Sequence, residues 1–168
     1  LDAFSPRILD VSHTELHGTR TWTKNRGDHY WIYVHNGRGV MELDDVTYTL
    51  AAGNAVQIPD GGTAVVRNST NKPLRWYSVR FRDIRVEWTG NRAQCRESCG
   101  RSLPFDVVMR VPNPMSILED IKMMHGMWND KREGYAGKTK LAFMNLVHDL
   151  LEQHRDRHTE TTTQRAIL

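Results

Sequence analysis

Residues 53–68, GNAVQIPDGGTAVVRN, decide how this chain folds. Gly53-Asn54 is turn chemistry, Pro59 and Gly61 are punctuation, and the apolar residues between and after them fall in runs too short for a helix. Upstream, "VTYTLAAGNAVQIP" alternates and turns at Gly53. Downstream, "TAVVRN" and "LRWYSVRF" are two more short strands parted by the polar turn "STNKP". Further out, "HYWIYVHNGRGVMEL" is aromatic and branched up to Val34. It turns at Asn36-Gly37 and Gly39, then resumes as a second apolar run. Short strands with a turn signal every ~8–12 residues indicate a sandwich or barrel, not βαβ units.

The character changes after residue 90. "TGNRAQCRESCGRSLPFD" is polar and poor in apolar residues, which predicts a connector over 91–115 between a barrel at 1–90 and a helical unit. "VPNPMS" supplies two prolines and a serine able to cap a helix. From Ser116, Ile117, Ile121, Met124 and Trp128 recur at helical spacing. "REGYAGK" interrupts, and a second helix carries Leu141, Met144, Val147 and Leu151, widened by Phe143, Leu146 and Leu150. Polar "HRDRHTETTTQ" is read as its end. The helical unit spans 116–155, and 156–168 is read as the start of a linker. Two wide stripes admit two covers: their own barrel, or a second copy of the chain. The second is the expectation, a homodimer seamed by Phe143, Leu146, Val147 and Leu150.

Bulk properties exclude some functions. At 168 residues, 39% hydrophobic, the chain can bury one good core. A net charge of +3 is spread among interleaved acids and bases, which is no nucleic-acid footprint. Cys95 and Cys99 form a lone C-x3-C pair, short of the four ligands of a structural zinc site, and read as free surface thiols. No apolar run approaches the ~18 residues of a membrane span. The cytoplasm is the expected compartment.

The spacing of Gly53, Pro59, Gly61 and Asn68 resembles the second motif of the cupins, whose fold is a double-stranded β-helix, or jelly-roll barrel. In that motif the residue four before the Asn is a metal-ligating His; here it is Ala64. The closing Gly of the first motif resembles Gly37. Counting back places Tyr30 at the Glu position and the His pair near Lys24 and Arg26. Glycine and proline set backbone geometry whatever a barrel holds, whereas ligands serve only a cation. Tyr, Lys, Arg and Ala make no competent shell for iron or manganese, so no metal and no cofactor is expected. His29 and His35 fall on the strand face opposite Tyr30, and His154 and His158 share a helix face without a third ligand.

A metal-free cupin followed by two amphipathic helices resembles the N-terminal sensor and dimerisation domain of AraC-type transcription regulators. The residues that carry the match are "DHYWIYVHNGRGVMELDDVTYTLAAGNAVQIPDGGTAVVRN", "PLRWYSVRF" and "SILEDIKMMHGMWNDKREGYAGKTKLAFMNLVHDLLEQ". The resemblance implies a small-molecule effector, a homodimer, and DNA contact only through a C-terminal helix-turn-helix unit that this sequence does not contain.

With the metal lost, the barrel interior is the expected pocket. Strand parity nominates Arg26, Tyr30, Asn68, Trp76, Ser78 and Arg80 as ligand-binding residues. One flat aromatic among hydrogen-bonding groups suits a sugar, with Trp76 stacking on its apolar face. No inward Asp, Glu or His is visible to complete an acid–base pair, so the expectation is a sensor and not an enzyme. The alternatives are a stand-alone metal-free cupin enzyme, isomerase-like, or a purely structural dimerisation module.

Overall fold

The computed structural model describes residues 2–25, 27–97 and 103–167. Eight strands come first: β1 (Arg7–Leu16), β2 (Thr21–Lys24), β3 (His29–Asn36), β4 (Arg38–Leu43), β5 (Val46–Ala51), β6 (Asn54–Ile58), β7 (Ala64–Asn68) and β8 (Leu74–Arg82). A hairpin of β9 (Ile84–Thr89) and β10 (Arg92–Glu97) comes next, then a short β11 (Val108–Arg110) and helices α1 (Pro114–Asp130) and α2 (Tyr135–Ile167). Two sheets are built from antiparallel pairs, one in the order β1-β8-β3-β6-β11 and the other β2-β7-β4-β5. Their inner faces share one apolar cluster that includes Leu16, Ile32, Val34, Met41, Leu50, Val56, Val66, Leu74 and Trp76.

The sheets differ in what covers their backs, and the sequence says so. β4 and β5 alternate, with Met41, Leu43 and Leu50 buried and Glu42, Thr47 and Thr49 exposed, the pattern of a sheet with one wet face. β3 is apolar almost throughout because both its faces are covered. Ile32 and Val34 point into the barrel, while Trp31 and Tyr33 point to the helices. There they join Val11, Val79 and Phe81 of the sheet, Ile117, Ile121, Met124 and Trp128 of α1, and Phe143, Leu146, Val147 and Leu150 of α2. The Tyr33 hydroxyl also donates to the Pro114 carbonyl at 3.2 Å, tying β3 to the start of α1.

The β3–β4 turn depends on Gly37. Its φ is +84°, and a Cβ there would lie 2.5 Å from the Pro73 carbonyl oxygen, so both backbone and space demand glycine.

Three local expectations change. The predicted connector contains structure: β9 and β10 pair across Gly90-Asn91, with Gly90 at φ +60° as a tight hairpin turn asks. β10 is exposed along its whole length, so no hydrophobic period marks it in the sequence. The chain then returns to the barrel through Gln57. Its buried amide donates to the carbonyls of Leu103 (3.0 Å) and Phe105 (2.6 Å) and accepts from Leu103 N (2.8 Å). At α1 the cap is Asn113, whose Oδ1 accepts from Ser116 N at 3.4 Å with Pro114 in the first turn; Ser116 is already inside the helix. Finally, α2 continues through "HRDRHTETTTQ" to Ile167. That run is polar but has no Gly or Pro, and Thr159, Thr161 and Thr162 bond back to carbonyls four residues earlier. Polarity ends the buried face, not the helix.

No helix among the described residues is long and apolar enough to cross a membrane.

Candidate functional site

The barrel's inner face is graded from apolar to polar, and strand register sets the gradient. At one end Leu16 of β1 pairs with Leu74 of β8. One step along, Thr14 pairs with Trp76, which pairs with Val34 of β3. Ser12, Ser78 and Ile32 make the next row, and Asp10, Arg80 and Tyr30 the last. Regular alternation back from Leu16 through Thr14 and Ser12 puts Asp10 on this inner face, and a bulge between Ile8 and Asp10 ends that alternation, so that Ile8 joins the outer cluster. Ser12 Oγ donates to the Asp10 carboxylate. Across the barrel, Trp22 of β2 meets Tyr30 edge-on at 5.5 Å and Trp76 at 5.8 Å. The polar end therefore gathers Asp10, Ser12, Ser78, Arg80 and Tyr30 against two indoles.

Lys24, Tyr30 and Ala64, three of the positions where a metal-holding barrel keeps its ligands, are also on this inner face. Lys24 and Ala64 are direct cross-strand partners on β2 and β7. Lys24 is 4% exposed, and its ammonium donates to the carbonyls of Asn25, Gly27, Pro59, Asp60 and Gly62 at 2.8–3.4 Å. Burial pulls its pKa below the usual lysine value, while Asp60, Asp28 and Asp44 pull the other way. An ammonium gathering carbonyls, a methyl group and the half-buried phenol of Tyr30 do not fit a metal ion. Lys24 ties the β2–β3 connection to the β6–β7 turn by its own charge.

The structure separates the nominated residues. Tyr30, Ser78 and Arg80 come together at the polar end, Ser78 buried and Arg80 41% exposed along its side chain. Arg80 reaches Asp28 only at 3.6 Å, which leaves its guanidinium free to take a better acceptor. Arg26 lies outside the described residues. Asn68 is spent elsewhere: its amide donates to the carbonyls of Leu16 (3.1 Å) and Lys72 (2.8 Å) and its oxygen accepts from Thr70 N. It builds the turn after β7, at the apolar end.

Trp76 is on the inner face but 1% exposed, so it offers no open ring for a sugar to stack on; Trp22 and Tyr30, half-buried, are the accessible aromatics. Trp76 contributes differently. Its indole Nε1 is buried with no hydrogen-bond partner, a costly arrangement in a protein interior.

Two further expectations are corrected. Phe143, Leu146, Val147 and Leu150 are buried to 2% or less within the single chain, so they form the barrel–helix core and not a seam between copies. The stripe is wide because α2 packs on α1 and on the five-stranded sheet at once. The interior also does hold a carboxylate, Asp10, which goes unseen in the sequence together with Ser12, Thr14 and Trp22 because no strand is read there before residue 29. From Asp10 to Leu16 the alternation of "RILDVSHTEL" is regular, but three of its four inward residues are polar, so no apolar period marks the strand.

Residues 13–80 match the model of the Cupin domain, and the fold is the cupin double-stranded β-helix followed by two helices. Solved structures similar to this chain include a protein from Photorhabdus luminescens (13% identity, 42% of this chain, 59% of that one, TM-score 0.40). Another is a predicted oxalate decarboxylase from Thermotoga maritima (18%, 44%, 66%, TM-score 0.41). A third is the cupin domain of an XRE family transcriptional regulator from Enterobacter cloacae (19%, 46%, 95%, TM-score 0.37). The similarity takes in less than two thirds of the first two chains. No curated protein matches the sequence.

Proposed function

Taking the cupin barrel as the premise, we propose that this chain is the effector-sensing domain of a transcription regulator of the AraC type. It binds a small polar molecule, a carbohydrate or similar polyol, in the barrel and does no chemistry on it. The observation that carries this reading is the buried, unpartnered Nε1 of Trp76 beside the hydrogen-bonding groups of the barrel's polar end. A ligand hydroxyl accepting from that indole would remove its cost. Asp10, Ser12, Ser78, Arg80 and Tyr30 supply the donors and acceptors that vicinal hydroxyls require, and Trp22 and Tyr30 supply apolar faces for a ring. In this reading the protein is cytoplasmic and dimeric, and DNA contact belongs to a separate helix-turn-helix unit.

A thermal-shift screen of sugars, polyols and sugar acids, followed by calorimetry, tests it. A true effector at 100 times its Kd adds about 2.7 kcal/mol of stability. Arg80→Ala should cost about tenfold or more in affinity, since a hydrogen bond to a charged group contributes roughly 1.5–3 kcal/mol. Unchanged affinity in Arg80→Ala and Tyr30→Phe would move the site off this face.

Asp10 and Tyr30 on either side of Arg80 favour a second reading, a metal-free enzyme of isomerase type, because a candidate base and a candidate acid then share one row of the barrel's polar end. Incubating the ligand with protein in D2O separates the two. Deuterium uptake or rearrangement seen by NMR marks an enzyme; an unchanged ligand marks a sensor.

A further inference from the structure

The barrel interior does not fit a metal, but the outer face of the five-stranded sheet has a pair of donors that does. His13 of β1 and His35, in the bulge at the end of β3, flank Tyr77 of β8, their rings 4.6 and 5.2 Å from it. Their Nε2 atoms face each other at 2.8 Å. His125 of α1 packs on Tyr77 at 5.4 Å. Both facing imidazoles are half-buried.

We propose that His13 and His35 form a binding site for one divalent transition ion of tetragonal preference, Cu2+ first and Ni2+ after it. The separation of the nitrogens selects the geometry. With metal–nitrogen bonds of roughly 2.0 Å, two donors 2.8 Å apart subtend about 90° at the ion, the angle between neighbours in a square or octahedral shell. A tetrahedral Zn2+ site would need them about 3.3 Å apart. Among the described residues no three His, Cys, Asp or Glu side chains converge on a point. The chain therefore supplies two cis donors and solvent completes the shell.

Three features support this assignment. Burial first of all holds both imidazoles below the usual histidine pKa, while Glu15 pulls the other way. Burial thus favours the neutral imidazole, the form that binds metals. Without an ion the pair is held by a single shared proton. The ion sits off the line between the nitrogens, at the apex of that right angle, and displaces the shared proton, which moves to Nδ1 of the same ring, so no proton need leave. The pair also joins β1 to β3 across β8, beneath α1, on strands that hold it rigidly.

The test is a Cu2+ titration of the whole chain at pH 7, by calorimetry and electron paramagnetic resonance. A competing pair, His154 and His158, sits four residues apart on α2 with rings 4.4 Å apart, so the titration is run with both replaced by Gln. The expected result is one saturable Cu2+ per chain, with nitrogen hyperfine structure from two imidazoles and weaker binding of Ni2+. Affinity should fall about tenfold or more in His13→Gln and in His35→Gln, each checked for an unchanged circular dichroism spectrum. Absence of saturable binding overturns the proposal. So does binding that survives both replacements, which would mark the pair as a hydrogen bond only.

Discussion

Lys24 shows what one residue can replace. A metal in a barrel cross-links strands through several donors of the protein; here a single ammonium does so through five carbonyls. Removing the charge while keeping the bulk, Lys24→Met, strands acceptors that the native chain satisfies, at about 1–3 kcal/mol for each one that water does not reach. Urea denaturation should therefore show a lowered midpoint with an unchanged slope. A variant as stable as the native chain would mean the carbonyls are hydrated instead. Trp76 is the opposite case, a group whose neighbours leave its donor unpaired, and such groups in folded proteins are where ligands are to be sought.

At the level of elements, α1 and α2 are the back wall of the barrel. Leu150 is fully buried among Trp31, Phe143 and the α1 residues of that core, so Leu150→Glu should yield unfolded chain and not soluble monomer. Phe143→Ala, which only deletes volume, should cost about 3–5 kcal/mol. Circular dichroism at increasing temperature distinguishes these outcomes from a surface role.

The helix pair also carries a local repulsion. Asp120 of α1 has its carboxyl pKa raised, first by burial and then by Asp149 of α2 and its neighbour Glu119. An acid with a raised folded pKa is favoured while protonated, and that advantage disappears as pH rises from 3.8 through the raised value. At neutral pH the ionised form is a cost. Asp120→Asn should then stabilise the fold by a few tenths of a kcal/mol at pH 7, as expected for exposed like charges on helices. The gain should vanish below about pH 4. A melting temperature that differs equally at pH 4 and pH 7 would disprove the charge argument.

For the whole molecule, apolar surface remains where the helices face away from the barrel. Met115, Met123 and Leu141 are each more than half exposed, Leu141 at 63%. If the proposed dimer forms, this outer face of the α1–α2 pair is the place for it, since the inner stripe is already covered. Light scattering should report a dimer that becomes a folded monomer in Leu141→Glu; a native monomer at high micromolar concentration would exclude the seam.

What the sequence determined is what local chemistry can state. Turn residues at Gly37, Gly53, Pro59 and Gly61 and the two periods, one of strands and one of helices, are enough to specify a cupin barrel followed by two helices. The vacated ligand positions were legible too, because Lys24, Tyr30 and Ala64 are read one residue at a time. Tertiary structure decided the rest. Whether the α2 stripe meets the barrel or another copy depends on how much surface the sheet and α1 present to it, and no helical period contains that. Which of Trp76, Asn68, Ser78 and Arg80 stays available depends on its partners across the barrel. Asp10 reaches the inner face because β1 pairs with β8, about seventy residues along the chain, and β10 exists only because β9 lies beside it. Periodicity records which way a side chain points relative to its neighbours in sequence; burial and pairing are set by neighbours in space.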